Sequence, residues 1–201
     1  MIEIIDQIEQ GSEAWFIHRL ASIGGSSISK AVAGGSGATR SKLMYDFVGE
    51  LLSGEKKDSY SSQYMQMGTD NEPEARLLYE FETGNEVAQV GLIKNGDYKH
   101  YSPDGLVGIA GILEIKCCIP SVWAERKLTG KIPTEYRKQM QWGLYICEKE
   151  WCDFVVYSPF VKVYPLIIQQ VERDEKEIKE LADGADKFIA EMLEMYNKVK
   201  V

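Results

Sequence analysis

Residues 112–118 constrain the fold most strongly, because they form an apolar run that is interrupted by charge. In Ile112-Leu113-Glu114-Ile115-Lys116-Cys117-Cys118 the charged side chains are Glu114 and Lys116. An apolar run of this length is typical of a strand that is buried on both faces, and side chains two apart on a strand share a face. Because buried charges need partners, the run predicts a central strand that carries a cluster of charged groups.

A second acidic residue precedes this strand in the stretch Ser102-Pro103-Asp104-Gly105. Two converging carboxylates are costly unless a cation lies between them. Mg²⁺ prefers oxygen ligands of this kind and often also binds a substrate phosphate. The order Asp104, Glu114, Lys116 therefore suggests metal-assisted hydrolysis of a phosphodiester.

Each part of this pattern also has an ordinary structural explanation. Pro-Asp-Gly is a common turn composition, so Asp104 could be a turn residue. Glu114 and Lys116 could form an ion pair on an exposed strand face. A second Glu-x-Lys, Glu177-Ile178-Lys179, lies in a predicted C-terminal helix, where we expect a solvated face.

Composition indicates one domain, residues 1–201, of an ordinary globular type. The chain has 201 residues, of which 44% are hydrophobic, enough for a sizeable core. It contains no apolar stretch of membrane-spanning length and no signal-peptide start. The four cysteines lack the spacing of a zinc site or a disulfide framework. These features favour a cytoplasmic protein with no membrane partner.

Charge at first argues against a nucleic-acid partner. The net charge is −8, whereas nucleic-acid-binding proteins usually have a basic surface. Residues 116–138, however, contain six Lys or Arg side chains against Glu125 and Glu135, a local balance of +4. A basic surface near the charged strand with an acidic exterior elsewhere would reconcile these observations.

The order of elements predicts an α/β fold with a mixed central β-sheet flanked by helices. Pro73 suits the first turn of a helix and is unfavourable further inside one. The polar stretch 53–62 is expected to be mobile. Helices are expected at 14–20, 40–52, 71–81, 133–147 and 173–198, with another opening after 23–25, and strands at 86–93, 98–102, 106–110, 112–118, 153–157 and 162–168.

Several ordered motifs resemble a known nuclease family. Pro103-Asp104 followed by Glu114-x-Lys116 is similar to the motif of the PD-(D/E)XK nuclease superfamily. Further blocks narrow the resemblance to phage-type alkaline exonucleases typified by lambda exonuclease, whose fold has a restriction-endonuclease-like core. These blocks are Glu13-Ala14-Trp15 with Arg19 and Gly25-Ser26-Ser27, Gly68-Thr69-Asp70-Asn71-Glu72 with Ala75-Arg76, Gln139-Met140-Gln141 with Tyr145, and Glu172-Arg173-Asp174-Glu175-Lys176.

The resemblance implies a role for each of these positions. Asp104, Glu114 and the main-chain carbonyl of Ile115 would bind Mg²⁺, with Mn²⁺ as a possible substitute. Lys116 would assist the attacking hydroxide or stabilise charge on the phosphate. The remaining implied roles are Glu72, which would complete the site, Gln141, which would lie beside Lys116, and Arg19 with Ser26, which would bind a 5′-phosphate. His18 and His100 are expected to be structural.

The activity implied by the resemblance is 5′-to-3′ digestion of one strand of linear double-stranded DNA. It would leave 3′ overhangs for a single-strand annealing protein, and the enzyme would be a homotrimer in the cytoplasm of a phage-infected bacterium. The open alternatives are a restriction-type endonuclease of the same superfamily, a non-catalytic module that binds DNA ends, and an unrelated α/β domain.

Overall fold

The computed structural model describes residues 2–34, 37–56 and 63–200. Its helices are α1 (Glu13–His18), α2 (Gly25–Ala31), α3 (Ala38–Ser53), α4 (Gln63–Thr83), α5 (Pro120–Thr129), α6 (Thr134–Cys147) and α7 (Glu175–Val199). Its strands are β1 (Ile2–Ile5), β2 (Val87–Ala88), β3 (Leu92–Asn95), β4 (His100–Tyr101), β5 (Gly105–Val107), β6 (Gly111–Cys117), β7 (Trp151–Tyr157) and β8 (Leu166–Glu172).

A five-stranded mixed sheet of order β2-β5-β6-β7-β8 forms the centre of the fold. β6 and β7 are parallel, with Glu114 opposite Phe154, and the other neighbouring strands are antiparallel. A smaller antiparallel sheet has the order β1-β3-β4. The predicted mixed sheet is confirmed. In the smaller sheet, β3 pairs with β4 in antiparallel fashion.

Two apolar cores lie on opposite faces of the large sheet. One contains Ile112 and Phe154 of the sheet together with residues of α2, α3, α6 and α7. The other contains Leu113 and Ile115 of β6 packed against Ala75 and Tyr79 of α4. Because apolar side chains of β6 enter both cores, this strand is buried on both faces, as its sequence predicts.

Helix α4 corrects the sequence-based prediction of a helix that starts near Asn71 or Pro73. The helix begins at Gln63, and Pro73 lies inside it. The side chain of Asn71 donates to the carbonyl of Met67 at 2.7 Å, which adds a side-chain hydrogen bond one turn before the proline. Packing of Ala75 and Tyr79 into the sheet outweighs the cost of an interior proline.

Other element boundaries also differ from the predicted ones. The expected strand 86–93 is two short strands, β2 and β3, which belong to different sheets. The last strand begins four residues later than predicted, at Leu166, and α5 and β1 were not predicted. Of the stretch expected to be mobile, residues 57–62 lie outside the described residues. No described helix is long and apolar enough to span a membrane.

Candidate functional site

The alternation of side chains along β6 places Glu114 and Lys116 on one face and Ile115 on the other. Glu114 is only 2% exposed. Its Oε2 accepts a hydrogen bond from the hydroxyl of Tyr101, and its Oε1 accepts from Lys116 Nζ and from Gln139 Nε2. Three donors thus hold one buried carboxylate in a single orientation.

Asp104 lies beside β6 just before β5 begins. Its Oδ2 accepts the backbone N–H of Ile115 at 2.6 Å, and its own N–H donates to the carbonyl of Leu113 at 3.2 Å. The structure therefore brings the Asp104 carboxylate against the backbone between Glu114 and Lys116. Burial raises the pKa of Asp104 well above its usual range, and the negative charges of Glu114 and Glu72 raise it further.

Lys116 is the cation of this cluster. Burial acts to lower its pKa, but the nearby Glu114 and Asp104 carboxylates outweigh burial and raise the pKa. The ammonium group also lies 5.4 Å from the centre of the Tyr136 ring. Lys116 is therefore charged at neutral pH, and its side chain lies among groups that fix its direction.

Helix α4 brings Glu72 to the same cluster from the opposite face of the sheet. The Glu72 carboxylate pairs with Arg76, whose Nε also donates to the carbonyl of Asp104 at 3.0 Å. Burial raises the pKa of Glu72, an effect that Arg76 opposes and that Glu114 reinforces. Arg76 thus joins α4 to the backbone at Asp104. The sequence analysis did not predict this contact.

Gln141 does not lie beside Lys116, which corrects the sequence-based prediction. It is fully buried, donates to the carbonyl of Glu172 at 2.8 Å and accepts the N–H of Asp174 at 2.9 Å. Gln139 instead donates to Glu114 at 2.5 Å. Residues two apart on a helix point about 200° away from each other, so only one of the two glutamines can face β6.

Arg19 contacts His100, and Ser26 follows Gly24, which packs on the same imidazole. Arg19 Nε donates to His100 Nε2 at 2.9 Å, and the guanidinium lies 3.6 Å from the centre of the Trp15 ring. Gly24 packs so closely on the same imidazole that a Cβ there would lie 2.4 Å from Nε2. Ser26 is exposed in the first turn of α2, two residues after Gly24.

The predicted basic surface is partly neutralised in the structure. Arg137 Nε donates to both carboxylate oxygens of Glu177, at 2.8 and 2.9 Å, so this side chain joins α6 to α7. Lys127 and Lys131 are exposed. The local charge balance of the sequence therefore overstates the positive charge available to a ligand.

The donor set fits a hard divalent cation, although it is not a closed cage. Among residues 2–34, 37–56 and 63–200, no group of three or more His, Cys, Asp or Glu side chains is arranged to hold a metal ion. Two carboxylates, Asp104 and Glu114, flank the backbone of Ile115. Burial is the main cause of the raised pKa values of Asp104 and Glu72, and the neighbouring carboxylates add negative charge that a cation would offset.

Sequence reasoning missed three contributors to this site. Tyr101 and Gln139 hold Glu114, and Arg76 holds both Glu72 and the carbonyl of Asp104. Arg76 and Gln139 lie within the sequence blocks that carry the family resemblance, so their position was a usable signal. Tyr101 had none, because its contact with Glu114 joins β4 to β6, which belong to different sheets.

These features define a nuclease-type α/β fold with a carboxylate and lysine cluster on its central strand. Residues 14–150 match the model of the YqaJ-like viral recombinase domain. The protein belongs to this family.

Solved structures agree with this assignment. An alkaline exonuclease from Laribacter hongkongensis is 34% identical, with a TM-score of 0.87 over 94% of this chain and 96% of that chain, and its complex with dAMP matches equally well. A phage-related exonuclease from Haemophilus somnus 129PT shares the fold, with a TM-score of 0.60 and 16% identity over 87% of this chain and 96% of that chain. No curated protein matches significantly. The predicted fold class and the prediction of a hydrolytic nuclease are confirmed.

Proposed function

We propose that the protein is a Mg²⁺-dependent 5′-to-3′ exonuclease that digests one strand of linear double-stranded DNA. The observation that carries this proposal is the cluster of Asp104, Glu114, Lys116 and Glu72 in a fold shared with an alkaline exonuclease over 94% of the chain. Carboxylates beside a charged lysine provide what phosphodiester hydrolysis needs, which is a cation site and a group that stabilises developing negative charge.

Asp104, Glu114 and the main-chain carbonyl of Ile115 would hold the Mg²⁺, or Mn²⁺ as a substitute. When bound, such a metal lowers the pKa of its water and offsets charge on the scissile phosphate. Tyr101 and Gln139 keep Glu114 in its orientation. Lys116, held by Glu114, donates its N–H groups toward the phosphate oxygens or the attacking water, and Glu72 with Arg76 closes the α4 side of the cluster.

Arg19 and Ser26 would bind the 5′-phosphate of the strand that is digested. A guanidinium offers paired donors to a phosphate, and Ser26 offers an exposed hydroxyl in the first turn of α2. The structure of the related exonuclease with dAMP supports a mononucleotide as the product. Recognition of a terminal phosphate would give the enzyme its direction and its requirement for a DNA end.

The remaining parts of the proposal rest on family resemblance. They are a single nuclease domain over 1–201, a 3′ overhang passed to a single-strand annealing protein, a homotrimer that surrounds DNA, and action in the cytoplasm of a phage-infected bacterium. In a ring, only the inner surface needs to be basic, which is compatible with a net charge of −8.

The test is to follow strand loss from linear duplex DNA labelled at either the 5′ or the 3′ end. With Mg²⁺ we expect early release of the 5′ label as mononucleotide, slow loss of the 3′ label, and no activity in EDTA or on closed circles. Cleavage of closed circles would favour an endonuclease instead. Tight binding to ends without any release would favour a non-catalytic DNA-end-binding module.

A further inference from the structure

His100 is a buried histidine whose two ring nitrogens both have partners. It is 2% exposed. Its Nε2 lies 2.9 Å from Arg19 Nε, and its Nδ1 lies 2.8 Å from the hydroxyl of Ser22. Its backbone carbonyl accepts the indole N–H of Trp142 at 3.1 Å. The ring is therefore held from three directions.

These partners determine which nitrogen carries the proton. An Arg Nε–H can only donate, so Nε2 must present its lone pair. The neutral ring then carries its proton on Nδ1 and donates it to Ser22. Burial lowers the pKa of His100 well below its usual value, and the positive charges of Arg19, Lys56 and Lys94 lower it further. The ring is thus neutral and has one fixed tautomer.

The loop that carries Ser22 is itself held in place. Ala21 has a positive φ of 46°, and its N–H donates to the buried carboxylate of Glu50 at 2.8 Å. Ile23 then forms a bridge with Lys99, just before β4. It donates to the carbonyl of Tyr98 at 2.8 Å and accepts from the N–H of His100 at 3.0 Å. The backbone on both sides of the imidazole is therefore fixed.

This arrangement leaves a defined part of Arg19 available. Its Nε is bound to His100, and its planar face lies on Trp15, whose indole N–H bonds to Gly91 and Ser102. Within the described part of the chain, the two Nη groups have no hydrogen-bond partner. His100 holds the Nε of the guanidinium, and Trp15 holds one of its faces. The two Nη groups remain as donors from which a phosphate oxygen could accept hydrogen bonds.

We propose that His100, in its neutral Nδ1–H form, is a positioning residue that directs Arg19 toward the 5′-phosphate of a DNA end. The inference rests on the proposed function and deepens it, since it makes phosphate selectivity depend on a residue that does not touch the substrate. Because β4 consists of His100 and Tyr101, this short strand holds both Arg19 and the Glu114 carboxylate.

Two substitutions at position 100 separate positioning from packing. In His100→Gln the side-chain amide reaches the place of Nε2, where its oxygen can accept from Arg19. In His100→Asn the shorter side chain can bond to Ser22 but cannot reach Arg19. His18→Gln is the matched control, since His18 is the other histidine of the chain and lies in the last turn of α1.

The first measurement is nucleotide release from 5′-phosphorylated and 5′-hydroxyl linear duplexes. We expect His100→Asn to reduce the wild-type preference for phosphorylated ends about tenfold through KM, with kcat changed less than about twofold. His100→Gln should recover most of the preference, and His18→Gln should match the wild type. An undiminished preference in folded His100→Asn would overturn the role of His100 alone. A wild type without any preference would overturn the phosphate site itself, and the positioning role with it.

The second measurement needs neither substrate nor metal. It tests the hydrogen bond between His100 and Arg19 directly, even if the His100→Asn variant does not fold. Carbon and nitrogen chemical shifts of the His100 ring should report the Nδ1–H tautomer without titration from about pH 6 to about pH 9. The His18→Gln variant assigns the signal. An Nε2–H tautomer, or a ring that becomes charged in this range, would contradict the bond to Arg19.

Discussion

At the scale of single residues, the site depends on which of two neighbouring glutamines faces β6. Gln139 reaches the Glu114 carboxylate, whereas Gln141 joins the end of β8 to the start of α7. The sequence motif Gln139-Met140-Gln141 contains both and does not rank them. Only the rotation of α6 against the sheet brings Gln139 to Glu114 and leaves Gln141 between β8 and α7.

Replacing each glutamine with alanine should therefore change a different property, namely kcat for Gln139→Ala and folding stability for Gln141→Ala. Gln139→Ala should lower kcat about tenfold with little loss of stability, because it removes one donor to a carboxylate that keeps two others. Gln141→Ala should lower the free energy of unfolding by about 2 kcal/mol, because it leaves the Asp174 N–H and the Glu172 carbonyl without their partner. Urea unfolding and nucleotide release on both variants check this, and the reverse pattern would show that α6 is rotated differently.

The residues that sequence reasoning could identify are those whose chemistry is visible without neighbours. Glu114 and Lys116 stood out because a buried strand rarely carries charge, and Asp104 stood out as a second carboxylate shortly before that strand. His100 did not stand out, because its importance comes from Arg19 and Ser22, both roughly eighty positions earlier in the chain. Contacts over such separations depend on topology, which one sequence does not display.

At the scale of elements, α4 contributes two side chains to the candidate site. It carries Glu72 and Arg76, and it is fixed to β7 by the hydroxyl of Tyr79, which donates to the buried Asp153 carboxylate at 2.6 Å. Pro73 lies between these contacts inside the helix. The helix is thus held by its packing and its polar contacts, despite a residue that disfavours helix interiors.

Replacing Pro73 with alanine tests whether this residue lies inside α4 or at the start of the helix. Pro73→Ala should raise the free energy of unfolding by about 1 to 3 kcal/mol, because alanine restores a backbone donor and removes the ring from an exposed helix interior. Thermal and urea unfolding measure the change. A loss of stability would contradict the structure, because proline is favoured only if the helix begins at that residue.

Element types were predictable from the sequence more often than element boundaries. The periodic helices α3, α6 and α7 were expected close to where they occur, since each buries a continuous apolar stripe. The strand expected at 86–93 is divided between two sheets, and between the two parts Gly91 packs against the backbone carbonyl of Ile8, where a Cβ would lie 2.1 Å away. A contact between residues so far apart in the chain leaves no local pattern in the sequence.

At the scale of the whole molecule, the carboxylate cluster should make folding stability depend on metal. Burial and neighbouring carboxylates raise the pKa values of Asp104 and Glu72, so their charged forms are disfavoured in the folded chain without a cation. A ligand that binds only the folded chain stabilises it. Mg²⁺ at a hundred times its Kd should add about 2.7 kcal/mol.

Thermal unfolding in EDTA and in Mg²⁺ measures this effect. The increase in Tm should disappear in Asp104→Asn and persist in Asp183→Asn, whose carboxylate is exposed and paired with Lys179. An equal increase in both variants would mean that Mg²⁺ acts through general surface charge.

The most direct test of the account compares the two Glu-x-Lys lysines of the chain on linear 5′-phosphorylated duplex DNA with Mg²⁺. Lys116 lies in the buried cluster, whereas Lys179 is exposed on α7 and pairs with Asp183. We predict that Lys116→Ala lowers nucleotide release at least about a hundredfold while binding to DNA ends persists, and that Lys179→Ala releases nucleotides at the wild-type rate. Wild-type release by a folded Lys116→Ala protein would contradict the assignment of this cluster as the hydrolytic site.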